Sequence, residues 1–237
     1  MNPQPLSVPV ILTGNAKPIA SVTTGCHRSP EDMNHATPAR FHELCRRAGV
    51  ADELAGKAFA DLASLYAEEH RKYHNMTHID RMLGWLDATG GRNDSVELAI
   101  WFHDAVYDPL GKDNEAKSAR FFTEHFGPSI SSPLMADVER LILATDASRP
   151  RTGREDENLI IDIDLSILGA SPADYAAYRV AIRSEYSAVP EGKFIAGRAS
   201  ILRRFLSQPI YTTGFFAKLE GQARMNIQDE LESLENG

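Results

Sequence analysis

Leu159-Ile160-Ile161-Asp162-Ile163-Asp164-Leu165 admits two readings, and the fold class turns on which one holds. Apolar and acidic residues alternate along it, the signature of a strand with one buried face. Wound as a helix, Ile160, Ile161, Asp164, Leu165 and Leu168 share a face, so Asp164 points inward. An isolated strand needs a partner, and the rest of the chain offers none. The helical reading is therefore preferred, and the protein is expected to be all-α.

Outward from this segment the pattern is helical from Pro38 onward. Phe41, Leu44 and Cys45 begin an apolar stripe, and Leu54, Ala58, Leu62, Leu65 and Tyr66 continue one at helical spacing. Further helices are expected over 76–89, 95–107, 113–126, 133–146, 157–168, 173–187, 192–207 and 213–234. Ser132-Pro133 and Ser171-Pro172 read as a cap followed by a first-turn proline, and Gly90-Gly91, Gly127 and Gly169 fall where helices end. Residues 1–37 are rich in Pro, Ser, Thr and Gly and read as a flexible N-terminal tail, with Met33 a second candidate start. Residues 38–237 form the folded domain. Its C-terminal helix is amphipathic and is a candidate interface for a homo-oligomer.

Composition narrows the partners. The 237 residues are 43% hydrophobic and 24% charged, as in ordinary globular proteins. A formal net charge of −8 argues against a nucleic-acid duplex as partner, because no basic stripe is present to neutralise its phosphates. A small phosphorylated substrate stays open, since a metal ion can supply local positive charge. The two cysteines, Cys26 and Cys45, have no C-x-x-C spacing, which fits a reducing cytosol. No apolar run reaches membrane-span length and the N-terminus makes a poor signal peptide, so a cytoplasmic protein with no membrane partner is expected.

Four stretches carry candidate chemistry. In Glu97–Asp108, His103 and Asp104 sit among Ala99, Ile100, Trp101, Phe102 and Val106. A carboxylate so placed is costly unless paired or bound to a cation, although His-Asp is also common at helix ends and surfaces. His70, His74 and His78 recur at i, i+4, i+8 and project from one side if their helix is continuous. They either serve a common ion and a proton, or are incidental to a polar face. Leu141–Asp146 ends an apolar helix in Thr145 and Asp146, at a site or facing water. Asp162 and Asp164 complete the set, the plainer reading being one surface and one capping carboxylate.

In their order along the chain, His78, His103-Asp104 and Asp164 resemble the ligand sequence of the HD-domain superfamily. Tyr73-His74-Asn75-Met76-Thr77-His78-Ile79 resembles the Y-H-N-x-x-H-A motif of its cyclic-nucleotide phosphodiesterase branch. Leu143-Ala144-Thr145-Asp146-Ala147-Ser148-Arg149 resembles L-A-T-D-M-S-K/R, and Asp164-Leu165-Ser166 resembles A-D-L-S. Similar overall are bacterial predicted HD-type metal-dependent phosphohydrolases, from residue 40 nearly to the end, with F-H-D-A-V-Y-D, D-N-E, D-x-D-L-S-I-L-G and I-R-x-E-Y. The resemblance implies a single HD-domain-like helical bundle with its metal site in the core. It implies that His78, His103, Asp104 and Asp164 hold a divalent ion (Mn, Mg, Fe, Co, Ni or Zn), that His74 protonates the leaving oxygen, and that Asp164 orients the attacking water. The expected activity is phosphoester hydrolysis on a nucleotide or another small phosphorylated metabolite. Asn75, Asp108, Asn114, Glu115 and Asp146 are candidate supporting groups. Arg71, Arg183 and Arg198 are candidate phosphate contacts, weighed against ion pairs or solvated faces.

One departure matters. Phosphodiesterases read H-D-x-D-H, whereas this chain has His103-Asp104-Ala105-Val106-Tyr107. The second Asp and His are missing and Asp108 is the nearest substitute, so one tight metal is expected. The glutamine that grips a purine has no counterpart, which disfavours cyclic nucleotides. Alternative readings are an HD-type di-iron oxygenase, for which only His70 is a well-placed extra ligand, and a non-catalytic metal- or nucleotide-binding module.

Overall fold

A computed structural model describes residues 34–236, which form ten α-helices and, among the described residues, no strand. In order these are α1 (Pro38–Arg47), α2 (Asp52–Tyr66), α3 (Met76–Ala88), α4 (Asp94–Phe102), α5 (Asn114–Phe126), α6 (Ser132–Ala144) and α7 (Glu155–Asp164). After a 3-10 turn (Leu165–Gly169) come α8 (Pro172–Glu185) and α9 (Glu191–Leu206), and a second turn (Ala217–Leu219) leads into α10 (Glu220–Asn236). The segment that opened the question is helical. It looked strand-like because it is buried on more than one side, with Ile160, Asp162 and Ile163 all fully buried against α3, α4 and α6.

The core is organised on α4. Val96, Leu98, Ala99, Ile100, Trp101 and Phe102 are all fully buried, as expected of a helix that is apolar all round. Around it, Phe41 meets Trp101 edge-on at 5.1 Å and Phe102 packs on Phe122 and Phe126 at 5.0 and 5.5 Å. Truncating one such aromatic to alanine costs about 3–5 kcal/mol. Polar anchors fix the shell. Arg40 reaches Asp87 and Glu97, and Arg47 reaches Asp94 and Glu97, tying α1 to the ends of α3 and α4.

Several expected boundaries move, each for a local reason. The helix over 95–107 ends at Phe102. The carbonyls of Asp104 and Ala105 accept from Arg71 at 2.6 and 2.9 Å, so no further helical turn is needed to satisfy them. The continuous helix expected to carry His70, His74 and His78 does not form, because α2 stops at Tyr66 and α3 starts at Met76. Asn75 caps α3 through its Oδ1 on the Thr77 amide, and Glu185 takes the amide protons of Lys72, Tyr73 and His74. The expected 213–234 helix begins only at Glu220, after the 3-10 turn. Ser131, one residue earlier than expected, caps α6, while Ser171 caps α8. Gly90 ends α3 at φ 71°, where a side chain would be strained.

Of the expected tail, residues 1–33, including Met33 and Cys26, lie outside the described residues. Residues 34–37 are tied down instead: His35 bonds Asp87 and the Ala36 amide donates to Asp80. Among the described residues, no helix is long and apolar enough to cross a membrane.

Candidate metal centre

Three helix ends meet on the floor of one cavity. The first turn of α3 supplies His78, the exit of α4 supplies His103 and Asp104, and the last residue of α7 is Asp164. His78 Nε2 lies 3.3 Å from His103 Nε2 and 3.1 Å from Asp164 Oδ1. Asp104 Oδ2 is 3.0 Å from His103 Nε2 and 3.8 Å from His78 Nε2. Both imidazoles are buried, at 2% and 1% exposure. His78, His103 and Asp164 form a group able to hold a metal ion, with Asp104 against it.

The donor set fits a divalent cation. His103 Nδ1–H donates to the Ile100 carbonyl at 2.9 Å, which leaves its Nε2 lone pair directed into the cluster. Two buried ring nitrogens face each other across 3.3 Å with carboxylates beside them. Such an arrangement needs a proton or a cation between the donors. With bonds of about 2.0–2.2 Å, neighbouring ligands of one ion lie about 3–3.5 Å apart, the spacing seen here. The protein groups alone compete for protons. Burial lowers His103, but the Asp104 charge and hydrogen bond outweigh it and raise the pKa to about 9. Burial raises Asp104, yet His103 holds it far below the carboxylate range, while burial lowers His78.

Beside this cluster stands a second unit. The Glu185 side chain is fully buried. Its Oε1 accepts the amides of Lys72, Tyr73 and His74 at 2.8, 2.7 and 3.0 Å, and its Oε2 accepts from His74 Nδ1–H at 2.7 Å and Tyr107 Oη–H at 2.8 Å. The His74 ring also stacks on Tyr107 at 4.2 Å. Burial alone would lower the His74 pKa, but the Glu185 bond and the charges of Asp104, Glu185 and Asp164 raise it above 6.5. Burial likewise opposes, and the His74 hydrogen bond overcomes, in bringing Glu185 down to about 2.

His74, His103, Asp104, Asp146, Asp164 and Glu115 all line one cavity of about 690 Å³, within the range of small-molecule sites. Its far wall is more apolar, with Ile182, Tyr186, Val189, Phe194 and Phe205 from α8, α9 and their connection. Burial raises the Glu115 pKa, helped by the charges of Asp146 and Asp104.

The other candidates play different parts. Arg71 does not face the cavity: its guanidinium binds Glu68 and the carbonyls of His74, Asp104 and Ala105, so it braces the ligand loops. Arg183 pairs with Glu191 and caps the Tyr186 carbonyl, pinning the α8–α9 connection. Arg198 lines the cavity but is bound through Nε and Nη2 to buried Glu230. Asn114 bonds both the amide and the carbonyl of exposed Asp108, shaping the loop beside the site. Asp146 accepts from the Ser148 amide and holds Arg149. His70 is placed outside the cluster, on the Tyr107 carbonyl. Asp162 is neither at the surface nor at the site. It is fully buried, accepting from Arg151 and from the amides of Thr212 and Thr213.

Sequence reasoning missed Glu185 and Tyr107. The signal for Glu185 was a carboxylate in phase with the apolar face of α8, three residues after Ile182. No family model matches this chain, and the searches of curated proteins and of solved structures likewise found no match.

Proposed function

We propose that this protein is a metal-dependent phosphohydrolase of HD type that cleaves a phosphoester of a nucleotide or another small phosphorylated metabolite. The observation that carries the reading is the pairing, on one cavity floor, of a His/Asp ligand cluster with a carboxylate-oriented histidine. His78, His103, Asp104 and Asp164 are the residues to hold the ion. A divalent cation there supplies a water that ionises near neutral pH and positive charge against the phosphoryl oxygens.

The remaining work falls to the chain. Glu185 fixes the His74 tautomer by taking its Nδ1 proton as a hydrogen bond, so Nε2 is the atom turned to the substrate. With a raised pKa, His74 keeps its second proton near neutrality and can pass it from Nε2 to the leaving oxygen. Asp164, 25% exposed at its side chain and within the cavity, has one oxygen toward the histidines and is placed to accept from the attacking water. The more apolar wall excludes bulk water and receives the body of the ester.

The test is turnover of a phosphoester panel by protein loaded with Mn²⁺, Mg²⁺, Co²⁺, Ni²⁺, Fe²⁺ or Zn²⁺, beside metal analysis. Asp104→Ala should abolish turnover. His74→Ala should cost about 10²–10⁴-fold on alkyl esters and far less on p-nitrophenyl esters, whose leaving group needs no proton. Absence of any turnover, or full activity in Asp104→Ala, would sink the proposal.

A further inference from the structure

A second, smaller cavity of about 220 Å³ lies on the other side of His78. Tyr73, Tyr178 and Ile167 line both cavities and form the partition between them, the two tyrosine rings meeting edge-on at 4.7 Å. His78 lines the small cavity and is absent from the lining of the large one. Its Nε2 belongs to the ligand cluster, and its Nδ1 is buried without a hydrogen-bond partner among the described residues. Tyr73 Oη is likewise buried and unpartnered. An unsatisfied buried donor of this kind costs about 1–3 kcal/mol, so two on one cavity call for an occupant.

The surrounding charges say what kind. Arg81 and Lys72 line the cavity, and neither has a carboxylate within 4.0 Å among the described residues. The N-terminus of the 13-residue helix α3, with Asn75 and Thr77, adds the positive end of its dipole. The one carboxylate on the wall, Asp174, is already bonded to Ser171 at the start of α8. With Nε2 given to the cluster as a lone pair, His78 Nδ1 carries a proton and is a donor. Two cations, a helix N-terminus, an N–H and a hydroxyl thus converge on a space that holds a small polyatomic ion.

We infer that this cavity is a binding site for a small oxyanion of the phosphate class, held by His78 Nδ1–H, Tyr73 Oη, Arg81 and Lys72. The inference rests on the reading that His78 offers Nε2 to a metal. The bound anion takes the place usually filled by a carboxylate or carbonyl behind a ligating histidine, fixing its ring and tautomer. It does so on the far side of the tyrosine partition from the proposed reaction.

The experiment titrates inorganic phosphate into EDTA-treated full-length protein by calorimetry, with chloride at matched ionic strength as reference. One saturable site is expected in the wild type. Arg81→Gln should weaken it at least tenfold, and Lys72→Glu, at an exposed position that folding tolerates, should abolish it. Lys112→Gln and Lys193→Gln, on the large cavity, should leave it unchanged. No saturable binding, undiminished binding in Lys72→Glu, or loss only in the large-cavity variants would overturn the inference. Because neither metal nor turnover enters, the outcome is separate from that of the phosphohydrolase test.

Discussion

Replacing Glu185 by alanine should unfold this protein more readily than any other single change at the site. Its carboxylate is the common acceptor for five donors, three of them consecutive amides in a segment that has no helix to satisfy them. Breaking a buried charged network by removing one partner costs about 3–5 kcal/mol. The pKa gives an independent figure: moving a carboxyl from 4.5 to about 2 corresponds to about 3 kcal/mol of preference for the charged form. The expected loss is therefore about 3–5 kcal/mol, or about 6–20 °C in Tm for a domain of this size. Urea unfolding in EDTA, followed by the fluorescence of Trp85 and Trp101, reads it directly. The pH dependence has a defined sign. Glu185 has a depressed folded pKa, so its contribution is complete above 4.5 and is lost as pH falls through about 2. His74 has a raised one, so its contribution is complete below 6.5 and is lost as pH rises through the folded value. The gap between wild type and Glu185→Ala should be widest between pH 4.5 and 6.5. Glu191→Ala, which breaks an exposed pair with Arg183, is the control and should cost no more than about 1 kcal/mol. A loss below about 1 kcal/mol in Glu185→Ala itself would refute the account of the loop.

Metal removal should lower stability: adding back a divalent ion at about a hundred times its Kd restores about 2.7 kcal/mol, and Asp164→Ala should abolish that response in a thermal melt. Gly169→Ala should cost about 1–3 kcal/mol in urea, because a Cβ there would stand 2.7 Å from Leu219 Cβ and 3.0 Å from both the Leu219 carbonyl and Tyr211 Oη. In a Cys26→Ser background, the buried Cys45 thiol, pushed up to about 12, should react with a disulfide reagent at pH 8 only as fast as the protein unfolds. Immediate stoichiometric labelling would contradict its burial.

The helices and the ligand cluster were legible because each rests on local signals. Apolar spacing marked α4, and inward Asp164 followed from winding 159–165 as a helix. What was hidden depends on contacts distant in sequence. The break between α2 and α3 is imposed by Glu185, more than a hundred residues later, and nothing between Glu68 and Asn75 announces it. The early end of α4 is likewise set by Arg71. Asp162 and Asp164 differ only in which side of α7 meets a distant loop, Thr212-Thr213, and a two-residue offset in the sequence cannot tell them apart.

The cavity is built from two sources that share little. Its floor is made of helix ends locked by Arg71 and Glu185, while its far wall is drawn from α8, α9 and the turn joining them. Changes at Val189, Phe194 or Phe205 alter the shape a substrate must match without touching a proposed ligand or its supports. Such a division lets descendants of one chemistry diverge in what they accept, with drift confined to the wall and the floor inherited intact.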